Sequence, residues 1–447
     1  MKLRTKILSC AAALAFAAIG LTSSGASAQQ AGTKFVYVSG AQLANLEADP
    51  ASVTLTAYNP DGNQAGTGTY TIPGNGALTL FPLAEVASGF RGSLVFSSDK
   101  NIGAIANVLA EDFSAGASYV GSSAGATEVQ LPLLNKDNSG FDTWFSVQNA
   151  SSSAPANVSI DYSDGTSAAA ASIPANSPKV YYQMLETHSA ASFAGLVTSD
   201  QPVVAAVIQE NAGIMFAYTA FTGGATNPVF PLVNANNANY ISGLQIQNAG
   251  TASTDVTVSY NPSFAGVACT ETKTIAAGGS EIFALFAFNA NQTSPNTTCG
   301  AGATFVGSAT VTTNSTSQPL VGIGNQLLPG VNGEAYGSFS PDDATNTVVM
   351  PLIMDRNGGY FTGFNIANVG TTATDVNCTF TNSTYTVTGN IPAGGALTDI
   401  QKDKIADSYV GAATCTGDAG AKIVAVVNQL GSNGAADQFL VYEGINK

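Results

Sequence analysis

Histidine and basic residues are scarce in this chain. Its 447 residues include one histidine, His188, and only 14 lysines and arginines against 29 aspartates and glutamates, so the net charge is −15. A catalytic zinc site with several histidine ligands is therefore excluded by count. A weakly charged, acidic chain also lacks the electrostatic means to bind nucleic acid or anionic lipid. Uncharged polar residues and glycine must solvate most of the surface.

Long apolar runs are confined to the N-terminus. Lys2, Arg4 and Lys6 precede an apolar stretch over residues 7–21, and Ala26-Ser27-Ala28 has the small residues of a cleavage site. This pattern predicts a signal peptide over residues 1–28. Its apolar stretch is short for a permanent membrane span, and no other stretch approaches twenty uninterrupted apolar residues. We therefore predict a mature chain from Gln29, without a membrane span, that is secreted to the bacterial cell surface or extracellular matrix.

Patterns that point to catalysis are also few. A Ser-His-Asp triad would have to use His188, which falls in a predicted exposed loop. Glu186, Glu210 and Glu281 could supply paired carboxylates for glycoside hydrolysis, but they occupy non-equivalent places in the chain. Trp144 begins an alternating strand pattern, which favours the core over a sugar-stacking platform. We predict that the protein is not an enzyme.

What the chain does have is internal repetition, at intervals of roughly 100 residues, the size of a small domain rather than of a solenoid repeat. An Ile-Pro-Ala-Gly-like phrase occurs at Ile72-Pro73-Gly74-Asn75, Ile173-Pro174-Ala175-Asn176, Ile275-Ala276-Ala277-Gly278 and Ile391-Pro392-Ala393-Gly394. An aromatic-x-Gly phrase follows each one, at Phe90-Arg91-Gly92, Phe193-Ala194-Gly195, Phe305-Val306-Gly307 and Tyr409-Val410-Gly411. A Pro-Leu phrase precedes the last three, at Leu131-Pro132-Leu133-Leu134, Phe230-Pro231-Leu232-Val233 and Met350-Pro351-Leu352-Ile353. We predict a string of four homologous modules.

Each module has the pattern of a β-sandwich. In the second module, residues 144–149 and 158–162 alternate apolar and polar side chains, which is typical of half-buried strands. Asp164-Gly165 interrupts the pattern as a turn. About seven short strands separated by turn signals are expected per module, as in a β-sandwich. Helical periodicity is absent outside the leader, apart from a turn near residues 183–191.

Two segments carry a resemblance to a known family. They are residues 248–260 (Asn-Ala-Gly-Thr-Ala-Ser-Thr-Asp-Val-Thr-Val-Ser-Tyr) and residues 198–205 (Thr-Ser-Asp-Gln-Pro-Val-Val-Ala). The modules resemble the tandem immunoglobulin-like (fibronectin-III or CARDB-like) repeats of bacterial secreted and cell-surface proteins. The resemblance implies an all-β protein of four tandem Ig-like antiparallel β-sandwich domains after a cleaved signal peptide. The predicted bounds are 1–28 for the leader and 29–124, 125–226, 227–344 and 345–447 for the sandwiches.

The first module departs from the plan, because no Pro-Leu strand precedes residues 35–38. Either this module lacks an edge strand, or each Pro-Leu segment completes the module before it and the fourth module lacks one. An unfilled edge is a site for strand pairing.

Four cysteines remain after the leader, and four cysteines allow three pairings. Two fall in the third module and two in the fourth, so Cys269–Cys299 and Cys378–Cys415 are the predicted disulfides of an oxidising compartment. Metal binding is the alternative, but the chain has no close Cys-x-x-Cys pair.

Asp342 and Asp343 form an acidic pair in the linker between the third and fourth modules. Such hard oxygen ligands at a junction are a candidate calcium site. The alternative is a solvated linker, since no Asp-x-Asp-x-Asp-Gly loop is present. No other cofactor is expected.

These features together predict an exported, non-enzymatic structural protein of a bacterial surface layer, sheath or matrix. Its modules would set reach and stiffness, and it would self-associate through uncharged faces and strand edges. The alternative is an adhesin or carbohydrate-binding protein that recognises surface glycans or other extracellular proteins.

Overall fold

The computed structural model describes residues 8–10, 16–18, 30–87, 89–290, 296–314, 318–431 and 437–447. Most of the predicted leader, including its cleavage site, lies outside the described residues. Strands make up 61% of the chain and helix 1%, and the paired strands are antiparallel. The prediction of an all-β protein is therefore confirmed. A 3₁₀ turn, Gln183–Leu185, falls where the sequence predicts a helical turn.

The strands fall into four sets, here called repeats 1 to 4. Two short strands come first, β1 Leu8–Cys10 and β2 Phe16–Ala18. Repeat 1 contains β3 Tyr37–Asn45, β4 Ala51–Tyr58, β5 Gln64–Ile72, β6 Ala77–Leu80, β7 Phe90–Ser98, β8 Ile102–Ala110 and β9 Gly116–Val120. Repeat 2 contains β10 Ala126–Asn135, β11 Asp142–Asn149, β12 Ala156–Tyr162, β13 Ser167–Ile173, β14 Pro178–Tyr182, β15 Ser192–Glu210 and β16 Met215–Thr219.

Repeat 3 contains β17 Val229–Ala235, β18 Ile241–Asn248, β19 Thr254–Ala265, β20 Cys269–Ile275, β21 Ser280–Phe283, β22 Phe305–Thr313, β23 Leu320–Leu328 and β24 Asn332–Gly337. Repeat 4 contains β25 Thr347–Asp355, β26 Tyr360–Asn368, β27 Thr374–Phe380, β28 Thr386–Ile391, β29 Ala396–Ile400, β30 Tyr409–Thr416, β31 Ile423–Gly431, β32 Phe439–Glu443 and β33 Ile445–Asn446.

Each repeat has the same strand order, in a sandwich-like arrangement over an apolar core. In repeat 3 the two sheets have the orders β17-β22-β19-β20 and β21-β18-β23-β24. Repeat 4 has β25-β30-β27-β28 and β29-β26-β31-β32, with β33 outside β25. Repeat 1 has β7-β4-β5 and β6-β3-β8-β9, with β1 and β2 on β7. In repeat 2 the 19-residue strand β15 runs through both sheets and joins them.

One sheet of each repeat contains β4, β12, β19 or β27 and is here called the first sheet. The alternating sequence pattern explains how this sheet is buried on one side. In β12 and β27, buried and exposed residues alternate without exception, because successive side chains of a strand point to opposite faces. The Pro-Leu strands β10, β17 and β25, here called the leading strands, each pair within the repeat that they begin.

A buried asparagine ends one central strand in every repeat. These residues are Asn45, Asn149, Asn248 and Asn368. Asn368 Nδ2 donates to the carbonyl oxygens of Thr372 (2.7 Å) and Ile391 (3.0 Å), and its Oδ1 accepts from the Gly370 amide (2.9 Å). The other three make the corresponding contacts. Each one ties the strand end to its own loop and to the isoleucine of the Ile-Pro phrase.

Replacing Asn368 with alanine is expected to lower the free energy of unfolding by about 2–4 kcal/mol, because backbone groups near the end of β26 lose their partners in a buried place. Urea unfolding followed by circular dichroism would measure the change. Asn377→Ala is the matched control, since Asn377 lies on the exposed face of β27 in the same repeat. Equal losses for the two variants would contradict the structural role of Asn368.

The four repeats form a closed ring. Their last strands, β9, β16, β24 and β32 (the inner strands), surround the ring axis, and each packs against two of the others. The apolar cores also continue across the junctions. Each core includes an apolar residue from the following repeat around the ring. Ile208 of repeat 2 lies in the core of repeat 1, and Ile323 of repeat 3 lies in the core of repeat 2. Val441 of repeat 4 lies in the core of repeat 3, and Ile105 of repeat 1 lies in the core of repeat 4. The apolar inner strands therefore draw the four repeats side by side.

Two of the recurring sequence phrases meet at the junctions. Ser93, beside Phe90-Arg91-Gly92, donates to the carbonyl of Asn176 in the next Ile-Pro turn (2.6 Å), and Ser308 donates likewise to Gly394 (3.3 Å). Thr381 closes the ring by donating to Asn75 (3.3 Å). The accepting turns have left-handed φ values of 52°, 61° and 71° at Asn75, Asn176 and Gly394, which explains why asparagine or glycine recurs there.

Candidate functional site: the ring axis and the rim strands

Buried carboxylates connect the inner strands at the ring axis. Glu334 Oε1 accepts from the Ala217 amide (2.9 Å), which joins β24 to β16. Asp437, just before β32, accepts from the amides of Met215 (2.8 Å) and Gly333 (3.1 Å). Acids from repeats 3 and 4 therefore accept hydrogen bonds from backbone N–H groups of other repeats. Their exclusion from water makes them part of the ring's structure rather than an open site.

Burial changes the titration of these groups. It raises the pKa of Asp437 to about 8, and it raises the pKa of Glu334 well above its usual value, with the charges of Asp437 and Glu443 adding to the effect. Burial also raises the pKa of Glu443, which accepts from the Gly337 amide. Burial therefore favours the protonated form of these carboxyl groups, because ionising closely spaced buried acids is costly.

The junction of repeats 1 and 2 holds another buried carboxylate. Glu210 accepts from the Tyr37 hydroxyl and the Lys34 amide, and Tyr37 in turn accepts from Trp144 Nε1 (3.0 Å). Burial raises the pKa of Glu210 to about 7. Lys34 forms an ion pair with Asp142 (2.7 Å). The residues that precede β3 are thereby fixed on repeat 2.

The predicted calcium ligands lie at the edge of a cleft on the ring axis. This cleft of about 690 Å³ is bordered by the three linkers between repeats, and Asp342, Asp343 and Glu443 contribute to its wall. Asp342 is 90% exposed and lies 3.7 Å from Lys422 Nζ. Within the described residues, no three His, Cys, Asp or Glu side chains gather closely enough to hold a metal ion. The calcium site therefore stays a prediction.

The four cysteines of repeats 3 and 4 lie as the sequence predicts. Cys269 and Cys299 form one pair at disulfide-bonding distance, and Cys378 and Cys415 form the other. Cys378 and Cys415 are directly opposite each other on β27 and β30, facing the core of repeat 4.

The residues considered for catalysis or sugar stacking are engaged in structural contacts. The sequence predicts an exposed loop at His188, but the side chain is buried in the structure. It stacks on Phe193 and lies 3.3 Å from Asp164. Trp144 is buried in the core, and Glu186 accepts from Tyr162 (2.9 Å). One Gly-x-Ser-x-Gly sequence does occur, at residues 121–125, but it lies in the linker before β10 and no helix follows it. A nucleophile elbow needs a strand-to-helix turn.

The outer edges of the first sheets are formed by β5, β13, β20 and β28, here called the rim strands. β5, β13 and β28 each pair with one neighbour in the described part of the chain, and none of the three contains a charged residue. β20 differs, because it carries Glu271 and Lys273 and is covered by residues 296–298. Soluble proteins usually protect edge strands with charges, proline or a covering loop. Among the residues that the structure describes, three of these edges lack a charge, a proline and a covering strand.

The leading strands at the opposite edges are covered. The residues that follow the inner strands of repeats 2, 3 and 4 pair with the leading strand of the same repeat, at Gln130–Phe221, Val229–Phe339 and Val349–Ile445. The open edges therefore lie on the side of each repeat that faces away from the ring axis.

Comparison with known proteins gives no assignment, because no family model and no curated protein matches this chain. Among the described residues there is also no helix with the length and apolar character needed to cross a membrane.

Proposed function

We propose that this protein is an exported structural component of a bacterial surface layer or extracellular matrix, built of four Ig-like sandwiches and joined to other copies through its rim strands. The observation that carries the proposal is the set of three uncharged, singly paired edge strands, β5, β13 and β28. Such an edge presents backbone N–H and C=O groups that its own sheet leaves unpaired, and strand pairing between molecules would satisfy them. The two cysteine pairs and the predicted leader support an oxidising, extracellular location.

The likeness to immunoglobulin domains is architectural. An Ig constant domain divides its strands in the orders ABED and CFG. Here the hairpin β19-β20 lies beside β22 in one sheet, and β18 lies beside β23 in the other. The proposed kinship therefore rests on two antiparallel sheets around one core, and not on identical connections.

Lysines on the rim strands are expected to prevent self-association. The test compares residues 29–447 with the triple variant Thr69→Lys, Ala169→Lys and Thr388→Lys, all at exposed positions of β5, β13 and β28. We expect large assemblies for the unmodified chain and monomers for the variant, because a charge on an edge strand opposes pairing. Light scattering and negative-stain microscopy, with and without Ca²⁺, would measure this.

The matched control also carries three added lysines, but on strands in the middle of the same sheets. Ser52→Lys, Ser159→Lys and Thr379→Lys lie at exposed positions of β4, β12 and β27, which are paired on both sides. This control should still assemble. Loss of assembly in both variants would show that net charge, rather than the edge, decides association.

The alternative function, glycan binding, is favoured by one feature. A cleft of about 580 Å³ between repeats 2 and 3 combines the aromatic rings of Phe141, Phe216 and Phe286 with the amides of Gln209 and Gln245. Rings for stacking and amides for hydrogen bonds suit a sugar. A monomeric unmodified chain that binds immobilised glycans, and loses this binding on Phe286→Ala, would support this function over assembly.

A further inference from the structure

The leading strand completes the first sheet in repeats 2, 3 and 4. It pairs with the aromatic-x-Gly strand of the same repeat, where Leu131 lies opposite Gly195, Val233 opposite Gly307 and Ile353 opposite Gly411. Leu131, Val233 and Ile353 are fully buried. The strand therefore contributes both backbone pairing and part of the apolar core.

In the described part of the chain, repeat 1 has no leading strand of its own. The corresponding edge, on β7, is occupied by residues of the predicted leader. Phe16 in β2 lies opposite Gly92, as Leu131 lies opposite Gly195 in repeat 2, and β1 pairs further along, from Cys10–Phe96 to Leu8–Ser98. Both segments precede the predicted cleavage site at Ala28. Export with cleavage removes them and uncovers this edge.

The chain has no evident replacement in its described parts. Residues 30–36 are held on repeat 2 through the contacts of Lys34 with Asp142 and Glu210. They reach β7 through a side-chain contact, in which Gln30 accepts from Arg91, and residues 30–36 form no strand there. At the other end, β33 pairs with β25. The leading strands of a second copy are already paired in their own repeats. The unfilled position therefore calls for a strand from a different polypeptide.

We propose that the edge of β7 in the mature protein accepts an extended segment of another exported polypeptide, which pairs antiparallel with Phe90–Ser98 as a fourth leading strand. The three leading strands define its chemistry: an uncharged run with an apolar residue, proline, leucine and a further apolar residue, as in Leu131-Pro132-Leu133-Leu134. Main-chain hydrogen bonds provide affinity, and the apolar side chains that enter the core of repeat 1 provide selectivity. This proposal depends on one part of the proposed function, namely export of the chain with cleavage of its leader.

The test uses the rim-lysine variant of residues 29–447, so that its outcome does not depend on self-association. The probe is a fluorescent peptide with the sequence of β10, Ala126–Asn135, followed by anisotropy. The control peptide carries serine in place of Leu131 and Leu134. We expect saturable one-to-one binding of the β10 peptide and at least tenfold weaker binding of the control.

A second protein identifies the binding edge. In this variant the β10 sequence is fused before residue 29 through a flexible linker, so that it fills the edge from within, and the fluorescence of Trp144 verifies its folding. The graft should abolish peptide binding and raise the melting temperature. Equal binding of both peptides, binding that survives the graft, or dimerisation of the rim variant through β7 without peptide would each overturn the proposal.

Discussion

Replacing Trp144 with alanine is expected to lower the free energy of unfolding by about 3–5 kcal/mol, the usual cost of deleting a large buried aromatic side chain. Trp144 is only 6% exposed. Its ring packs edge-on against Tyr37 of repeat 1, with ring centres 5.4 Å apart. It belongs to the core of repeat 1 although it lies in repeat 2, so its loss opens a cavity at the junction of two repeats.

Circular dichroism during urea unfolding would measure the change. The control is Phe264→Ala, since Phe264 is 86% exposed and its removal should change stability by less than about 0.5 kcal/mol. Trp144 is the only tryptophan in the chain, so its fluorescence in the unmodified protein reports on this one junction. Emission typical of an exposed indole, or a loss as small as that of the control, would contradict the packing described above.

Stability is expected to fall as the pH rises from about 4 to about 8. Glu210 and Asp437 have folded-state pKa values of about 7 and about 8, and those of Glu334 and Glu443 are also raised. In the unfolded chain these groups ionise near pH 4, so the folded state binds more protons in this window. Their contribution is complete below the unfolded pKa and is lost as the pH rises through the folded pKa, by about 1.4 kcal/mol per pH unit for each titrating group.

The opposite sign applies at lower pH. Although burial opposes it, hydrogen bonds from Thr166 and Ser189 lower the pKa of Asp164 to about 2. This contribution is present above the unfolded pKa and is lost as the pH falls through about 2. Stability is therefore expected to be greatest at about pH 4–5.

Thermal unfolding at a series of pH values would measure this profile. The double variant Glu210→Gln and Asp437→Asn should show a smaller fall in stability between pH 5 and pH 8, because the introduced amide side chains do not titrate. Asp342→Asn, at an exposed carboxylate near the axis, should leave the slope unchanged. A profile that rises towards pH 8 would contradict the assignment of protonated acids to the junctions.

Much of each repeat follows from local patterns. Alternating segments such as residues 158–162 are strands because period-two apolar patterning buries one face. The cysteine pairs follow from their positions within repeats. The absence of a Pro-Leu phrase before residues 35–38 left open whether the first or the fourth repeat is incomplete, and the pairing of the leading strands decided this. The recurring Asn or Gly of the Ile-Pro turns marks a left-handed backbone position that few other residues adopt readily.

Other features depend on contacts between distant segments. His188 lies in a polar stretch, but tertiary packing buries it against Phe193. The buried asparagines resemble ordinary turn residues, although the matching position of Asn149, Asn248 and Asn368 at the ends of similar strands was a usable signal. Glu334 and Asp437 carry no local signature, because their partners are amides of other repeats.

The sequence by itself determined the class of the protein, the number of repeats in its pattern and the cysteine pairing, because each depends on local periodicity, composition or spacing. Only the tertiary structure decided that the repeats close into a ring, that acids bridge the inner strands, and that three uncharged edges face away from the axis. Those outcomes depend on which surfaces meet across segments roughly 100 residues apart or more, and local patterning does not encode such meetings.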